Sequence, residues 1–332
     1  MGNTLQKFAK VLLPLLLGGA ILYWMYRDSD FGQIKYALLH EMDWTWMLLS
    51  LPFGITAQMC RGFRWRQALA PLGEHARLST SVNAIFLSYA ASLVIPRMGE
   101  FLRCGVLKRY DNVTFAKSLG TVVMERAVDS VVVLLITLIT FLLQIPVFHH
   151  FFNTTGTRID VILGRFTTTG YIVTFICLLA ALVLIAILVR KMDIGHKVKD
   201  TASNLWQGII SIRNVDNIPL YLAHTIGIWL SYFIHFYLTF FCFSETQSLG
   251  VGCALVAFVV GSIAVIVPTP NGAGPWHFSV KTMLILYGVT SDMALMFVLI
   301  VHFIQTMLVV VLGIMAWVAL ALTRPVPRAA EQ

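Results

Sequence analysis

Long apolar segments are the feature that most limits what this chain can fold into. They lie at about residues 8–26, 44–60, 119–145, 171–189, 219–243 and 293–322. Each is long enough to cross roughly 30 Å of hydrocarbon at about 1.5 Å per helical residue. Of the 332 residues, 58% are hydrophobic and only 12% are charged, which excludes a soluble or a disordered chain. The sequence therefore predicts an all-α polytopic membrane protein with six spanning helices.

Two further apolar segments end in sequences that break helices. Residues 79–95 run into Pro96 and Gly99, and residues 250–267 run into a turn rich in proline and glycine. Short helical pieces follow at about 100–110 and 277–289. Broken backbone in a bilayer must be buried in protein or face water. We therefore predict two re-entrant helical hairpins, with ordinary kinked spans as the alternative.

The charge distribution predicts the orientation, because short cytoplasmic loops are rich in Lys and Arg. The loop 27–43 has two basic and four acidic residues, which favours the outside. Arg61, Arg64 and Arg66 follow the second segment and are interpreted as the start of a basic cytoplasmic loop. We expect both termini in the cytoplasm of a cell that has the chain in its inner (cytoplasmic) membrane. The first hairpin then opens to the cytoplasm and the second to the outside.

This arrangement predicts an inverted repeat within one integral membrane domain that spans residues 1–332. The first half covers about residues 5–145 and the second about residues 171–322. Each half is predicted to contain two helices, then a hairpin, then a third helix. Sites in such folds form where the two broken hairpins meet near the midplane. Residues 191–216 are amphipathic and predict an interfacial cytoplasmic helix.

The first candidate site is the charged group at the end of the first hairpin turn. Arg97, Glu100 and Arg103 are spaced three residues apart and share one broad helix face. Charged groups at a broken point in a membrane must be paired or hydrated. Arginine suits bidentate contact with phosphate, so one hypothesis is a phosphate clamp in which Glu100 holds an arginine. The alternative is a structural ion pair.

The second candidate site lies inside the segment 119–145. Glu125 and Asp129 share a helix face, whereas Arg126 points about 100° away from Glu125. We expect the carboxylates to face the protein interior, where they pair with Arg97 or Arg103 or bind protons. A structural salt bridge to the first hairpin is the preferred role for Asp129.

The third candidate site is the turn of the second hairpin. Gly272 and Gly274 permit unusual backbone dihedrals, and a helix begins near Trp276, so backbone amides are expected to face an anion. We expect His277 to titrate near neutrality, and Lys281 lies one helical turn away on the same face. The candidate binding residues of this turn are Pro268, Pro270, Asn271, Gly272, Gly274, His277 and Lys281.

Other chemistry has weak support. The net charge of +8 fits basic loops of a membrane protein better than nucleic-acid binding. The five cysteines and the spacings of His224, His235 and His302 suggest neither a metal site nor disulfides. We find no catalytic motif and expect no cofactor and no enzymatic activity. The expected partners are membrane lipids with anionic headgroups, with a separate lipid-modifying enzyme as a further possibility.

Three motifs in order give the chain a family resemblance. PRMGEFLR, MERAVD and PTPNGAGPWH, together with the stretch from Arg61 to Arg66, resemble the transmembrane region of lysylphosphatidylglycerol synthases, also described as flippase-like. The resemblance implies a domain that moves lipids between leaflets, joined in larger members to a cytosolic aminoacyl transferase that we do not expect here. It assigns the three candidate sites to the first hairpin, the adjoining helix and the second hairpin. The family often has PGG and a terminal Glu where this chain has Asn271 and His277.

These observations predict a lipid translocase that moves an anionic phospholipid or a lipid linked to polyprenyl phosphate. Arg97 and Arg103 are the expected phosphate ligands. The sequence has no ATP-binding element, so transport is expected to be passive or coupled to an ion gradient, with Glu125 or His277 as the proton carrier. The alternatives are a secondary transporter of a small anionic solute, an intramembrane lipid-modifying enzyme and a membrane scaffold.

Overall fold

The computed structural model describes residues 31–144 and 214–326, together with residues 19, 21–23 and 27. All contacts reported below lie within one compact unit, formed by residues 1–140 and 204–332. A second unit covers Phe141–Ser203, and only its first four residues are described. The predicted segments at 8–26, 171–189 and 191–216 lie wholly or mostly outside the described residues.

The described residues are helical and contain no β-strand. The α-helices are α1 (Phe31–Tyr36), α2 (Trp44–Leu69), α3 (Leu78–Val94), α4 (Met98–Asp111), α5 (Phe115–Leu143), α6 (Ile218–Tyr237), α7 (Ser244–Gln247), α8 (Gly250–Ala264), α9 (Pro275–Leu286) and α10 (Ser291–Leu322). A π-helical turn extends α1, and 3-10 turns follow α2 and α6. The prediction of an all-α polytopic membrane protein is confirmed.

Polar side chains cap the first turns of two helices, α2 and α6. The Asp43 carboxylate accepts a hydrogen bond from the Thr45 N–H at 2.8 Å, and Asn217 does the same for Leu220 at 2.9 Å. These caps satisfy N–H groups that have no partner inside α2 and α6. The two helices therefore begin where the sequence changes from polar to apolar.

Among the described residues, three helices are long and apolar enough to cross a membrane by length and composition. They are α5, α6 with its following 3-10 turn, and α10. The helix α2 has 26 residues, a length of about 39 Å, but its second half contains arginines. The total of six spanning helices stays a prediction.

Both predicted hairpins form, and their helices are short. The pairs α3–α4 and α8–α9 each pack against one another across a turn. The longest of the four, α3, has 17 residues and a length of about 25 Å, less than the hydrocarbon core. The α3–α4 packing is closest at Gly99, where a Cβ atom would overlap the Ser88 carbonyl.

The first hairpin begins and ends at the same side of the bundle. Asp111, at the end of α4, accepts hydrogen bonds from the Arg77 backbone N–H (2.9 Å) and from its Nε (2.6 Å), just before α3. The segment after α10 reaches the same place, because the Val326 N–H donates to the Tyr110 carbonyl at 2.8 Å. Arg77 also donates to the Arg324 carbonyl at 3.1 Å, so basic residues gather at this end.

The second hairpin begins and ends at the opposite side. Thr290, after α9, donates to the Glu245 carboxylate, before α8, at 3.1 Å. The start of α2 meets the end of the α6 segment there, since the Asp43 N–H donates to the Cys242 carbonyl at 2.9 Å. The two hairpins thus enter the bundle from opposite ends. Which end faces the cytoplasm stays a prediction.

The tips of the two hairpins meet. The Arg97 guanidinium reaches the carbonyl of Ile266, just after α8, with Nη2 at 3.5 Å. The helix α3 also contacts the 3-10 turn at Pro270–Gly272. The two broken points of the chain therefore lie side by side.

One sequence-based expectation about α2 is wrong. Arg61 and Arg64 do not begin a loop, because α2 continues to Leu69 and both side chains are buried. A prediction from local hydropathy assigns an arginine to a loop, because its side chain is charged. The residues that neutralise these two arginines come from α5, which is distant in sequence.

Candidate functional site: a buried arginine and carboxylate cluster

Asp129 joins α5 to α2 through two arginines. Its carboxylate contacts Arg61 Nη1 at 2.6 Å and Arg64 Nη2 at 2.8 Å. Arg61 and Arg64 are one helical turn apart on α2 and therefore point toward the same carboxylate. Arg64 also donates to the hydroxyl of Thr225 on α6 at 3.2 Å. Asp129 therefore has a structural role, but its ion pairs join α5 to α2 and not, as expected, to the first hairpin.

Glu125 joins α5 to the first hairpin. Its carboxylate contacts Arg103 Nη2 on α4 at 2.8 Å and lies 3.8 Å from Arg64 Nε. The indole of Trp65 stacks on the Arg103 guanidinium, with 4.7 Å from Cζ to the ring centroid. The Trp65 N–H donates to the Thr121 hydroxyl at 2.9 Å and fixes the indole. The expected pairing of Glu125 with Arg103 is confirmed.

A second, outer pair lies at the rim of this cluster. Arg126 Nε contacts the Glu100 carboxylate at 2.9 Å, and the two side chains are 45% and 31% exposed. Arg126 thus points outward while Glu125 points inward, as the helical spacing predicts. Glu100 does hold an arginine, but that arginine is Arg126. Arg97 is also exposed, at the tip of the hairpin.

The inner part of the cluster has more positive than negative charge. Arg61, Arg64 and Arg103 are 3%, 0% and 1% exposed, and they face two carboxylates, Glu125 and Asp129. The Nε atoms of all three arginines have no hydrogen-bond partner in the described part of the chain. Burying an uncompensated charge is costly in an apolar surrounding. The inner cluster is therefore suited to an added anion.

Two tyrosines adjoin the cluster. The hydroxyls of Tyr89 on α3 and Tyr232 on α6 are 3.0 Å apart and hydrogen bonded. Tyr232 lies beside Arg61. The first hairpin, α2 and α6 thus meet at one polar point in the bundle.

The arrangement changes the expected role of Arg103. Its guanidinium is buried between Glu125 and Trp65, so it does not form an open clamp with Arg97 in this structure. Local spacing placed Arg97 and Arg103 on one broad face. The tertiary packing separates them, because α5 covers Arg103 and leaves Arg97 at the tip.

The second hairpin has neutral groups in place of ion pairs. The rings of His277 on α9 and His302 on α10 are 4.4 Å apart between centroids. His302 contacts the Asn271 carbonyl through Nε2 at 3.1 Å, and the Asn271 amide donates to the Thr306 hydroxyl at 2.8 Å. The indole of Trp276 packs against both histidines. These contacts fasten the hairpin turn to α10.

The backbone amides of the second hairpin turn bond within the turn itself, and an anion site at the start of α9 stays a prediction. The N–H groups of Gly272, Ala273 and Gly274 donate to the Thr269 carbonyl, the Pro270 carbonyl and His277 Nδ1. The turn closes on itself because Gly272 and Gly274 adopt φ values of 72° and 90°. No backbone donor of these three residues is left for a ligand.

The remaining predicted residues of this turn lie apart from the arginines. Pro268 is exposed, and Pro270 begins the 3-10 turn. Lys281 is half-buried on α9 and forms no ion pair with any described residue. His277 is buried against His302, so the two residues do not form a common cationic face.

Sequence reasoning missed several members of the cluster. Arg61 and Arg64 were interpreted as loop residues, although their spacing of three residues beside Trp65 is a helical pattern that would have placed them on one face. The family resemblance also included this stretch. Tyr89 and Tyr232 carry no local signal, because an isolated tyrosine in an apolar helix is ordinary.

Comparison with known proteins agrees with the motifs. The family model for the lysylphosphatidylglycerol synthase TM region matches residues 11–313. No curated protein and no solved structure matches the chain. The matched region includes both hairpins, α5 and the whole arginine and carboxylate cluster. The chain is therefore a multi-pass membrane protein with a membrane-lipid-related role, and it belongs to the lysylphosphatidylglycerol synthase transmembrane-region family.

Proposed function

We propose that the protein moves a lipid with an anionic, phosphate-containing headgroup between the two leaflets of the membrane. The observation that carries this proposal is the excess of buried positive charge in the inner cluster. Three guanidinium groups face two carboxylates there, inside a helical bundle with an apolar exterior. A phosphate would neutralise the excess and accept hydrogen bonds from the Nε atoms of Arg61 and Arg103, which have no hydrogen-bond partner among the described residues.

The exposed arginines provide an entry to this cluster. Arg97 and Arg126 are exposed on either side of Glu100, close in sequence to the buried Arg103 and Glu125. A phosphate that binds first at Arg126 competes with Glu100 for the guanidinium. The outer pair then opens without exposing the inner cluster to lipid.

Movement between leaflets requires the site to open to each side in turn. The two hairpins enter from opposite ends of the bundle and touch at Arg97 and Ile266. Separation of either hairpin from its neighbours would open a path to one leaflet only. This geometry favours alternating access around a central site.

The test uses purified protein in vesicles that contain a trace of phosphatidylglycerol with a nitrobenzoxadiazole label. Dithionite bleaches only the label in the outer leaflet, so lipid movement appears as additional loss of fluorescence. We expect this additional loss with the wild-type protein and not in protein-free vesicles. Equal bleaching in both would contradict translocation of this lipid class.

Variants of Arg97 show whether its charge is required. We expect Arg97→Asn to slow lipid movement at least about tenfold, because a charge-assisted contact is lost, and Arg97→Lys to retain most of it. The matched control is Arg109→Gln, an exposed arginine near the far end of α4. Unchanged movement by folded Arg97→Asn would remove Arg97 from the site.

The alternatives predict different results in the same vesicles. A carrier of small anionic solutes would give solute uptake without lipid movement. A lipid-modifying enzyme would give a changed lipid without transfer between leaflets. A scaffold would give neither result.

A further inference from the structure

The interface between α2 and α6 contains a line of polar groups. The helices run antiparallel, since Ser50 contacts His235 near one end and Arg64 contacts Thr225 near the other. His235 donates from Nδ1 to the Ser50 carbonyl at 2.8 Å, and Arg64 donates to Thr225 at 3.2 Å. Tyr232 lies beside Arg61 between these two contacts. We call this line the α2–α6 seam.

Two buried side chains along the seam have polar atoms without partners. Gln58 is 3% exposed and Tyr221 is 2% exposed. The Gln58 Oε1 atom and the Tyr221 hydroxyl form no hydrogen bond with any described residue. Gln58 lies one turn before Arg61, and Tyr221 packs under the Arg64 guanidinium at 5.7 Å from Cζ to the ring centroid. Such atoms are costly when buried unless a ligand or water binds them.

Small residues line the same interface. A Cβ atom at Gly54 would lie 3.0 Å from His235 Nε2, and one at Gly227 would lie 3.3 Å from Cys60 Sγ. Ala57, between Gly54 and Cys60 on α2, is completely buried. These small residues let the backbones of α2 and α6 approach closely, so few bulky side chains stand between the polar groups of the seam.

The seam is long enough to cross most of the hydrocarbon core of a bilayer. From Ser50 to Arg64 the chain advances by about 21 Å at 1.5 Å per helical residue. The hydrocarbon core is roughly 30 Å thick. From Arg61 and Arg64, Gln58 and then the contact of His235 with Ser50 lie toward the end of the bundle that contains Asp43.

We propose that the α2–α6 seam is the path along which the phosphate-containing headgroup crosses the membrane. This inference rests on the proposed function. The helices separate at the small residues, and the headgroup binds Gln58 and Tyr221 beside the arginines. The acyl chains remain in the surrounding bilayer.

A native cysteine allows a direct test. A Cβ atom at position 227 would lie 4.0 Å from Cys60 Cβ, within the range of about 3.5–4.5 Å for a disulfide. The variant Gly227→Cys should therefore form a disulfide with Cys60 on oxidation and lock the seam. The controls are Gly227→Ala and the double variant Gly227→Cys/Cys60→Ser, in which the other cysteines remain but this bond cannot form.

Two readouts separate this inference from the proposed function. We expect oxidised Gly227→Cys to lose movement of labelled phosphatidylglycerol at least tenfold and to regain it after reduction with dithiothreitol. Native mass spectrometry should find less phosphatidylglycerol bound to the oxidised form. If reduced and wild-type protein move no lipid but bound lipid still falls on oxidation, the translocase proposal fails and the seam stands as a lipid site. If oxidation changes neither readout, the seam is not the path.

A conservative variant tests the seam if the cysteine variant folds poorly. Tyr221→Phe removes only the hydroxyl that has no partner. If the hydroxyl binds the headgroup, we expect lipid movement to fall about tenfold while thermal stability is unchanged or rises. Wild-type movement and lipid binding by Tyr221→Phe, together with no effect of the disulfide, would overturn the proposal.

Discussion

The two hairpins enter the bundle from opposite ends and are held by different forces. The first is attached to α5 by two ion pairs, Arg103 with Glu125 and Glu100 with Arg126. The second is attached to α10 by hydrogen bonds and stacking between neutral groups around His302. Similar backbone architecture therefore carries different chemistry.

The difference indicates which hairpin responds to an anionic substrate. An added phosphate competes directly with Glu100 for Arg126 and changes the charge balance around Arg103. The phosphate does not compete in this way for the contacts of His302. We therefore expect substrate binding to loosen the first hairpin and to leave the second as the more rigid support.

The largest expected effect is a loss of stability, and it compares the ionic attachment of the first hairpin with the neutral attachment of the second. Glu125→Gln should destabilise the protein by about 3–5 kcal/mol, because Arg103 and Arg64 lose a buried counter-charge. His302→Gln, its counterpart at the second hairpin, should cost about 1 kcal/mol, the value of a neutral hydrogen bond. Unfolding in mild detergent, followed by tryptophan fluorescence, measures both. Equal losses would mean that the ion pairs contribute no special stability.

The next effect compares the close packing within each hairpin. Gly99→Ala should cost about 1–3 kcal/mol, because the added Cβ meets the Ser88 backbone and forces α3 and α4 apart. Gly261→Ala should cost less, since its Cβ meets the Trp276 side chain at 2.9 Å and a side chain can move. Thermal unfolding of the two variants tests this order. A larger loss for Gly261→Ala would show that the second hairpin is packed more tightly.

A smaller effect compares the two turns. Arg97 has φ 64°, in the left-handed region that arginine seldom adopts, whereas the second turn has Asn271 at φ 51°. Asparagine tolerates this region, so Arg97→Asn should stabilise the fold by about 1 kcal/mol while slowing lipid movement. Higher thermal stability together with lower transport would show that Arg97 supports lipid movement although its backbone conformation is strained. Lower stability would mean that its contact with Ile266 outweighs the strain.

The smallest effect concerns the base of the first hairpin. Burial raises the pKa of Glu74, but hydrogen bonds from Thr114 and the charge of Lys117 outweigh it, so the pKa lies below its ordinary value. The stabilisation by Glu74 is therefore complete above the pKa of the unfolded chain and is lost as the pH falls through the lowered pKa. We expect the unfolding temperature to fall between about pH 6 and pH 3 by more in the wild type than in Glu74→Gln. An identical fall in both would assign the acid sensitivity to other carboxylates.

Local patterns predicted the helices well and their partners poorly. The hairpin helices begin and end within a few residues of the expected positions, because proline and glycine stop a helix by local geometry. The inward direction of Glu125 and the outward direction of Arg126 also followed from helical spacing. The partners of Glu100 and Asp129 did not, since Arg126 and Arg61 become neighbours only when helices pack.

The sequence by itself determined the membrane environment, the helical class, the two broken hairpins and the family. These properties depend on apolar length, on backbone constraints at proline and glycine, and on ordered motifs, all of which are local. Only the tertiary structure decided that Arg61 and Arg64 are buried, that Arg103 is paired and that the second turn uses its own amides. Those outcomes depend on which charges meet across helices, because a buried arginine is stable only beside a carboxylate that another part of the chain provides.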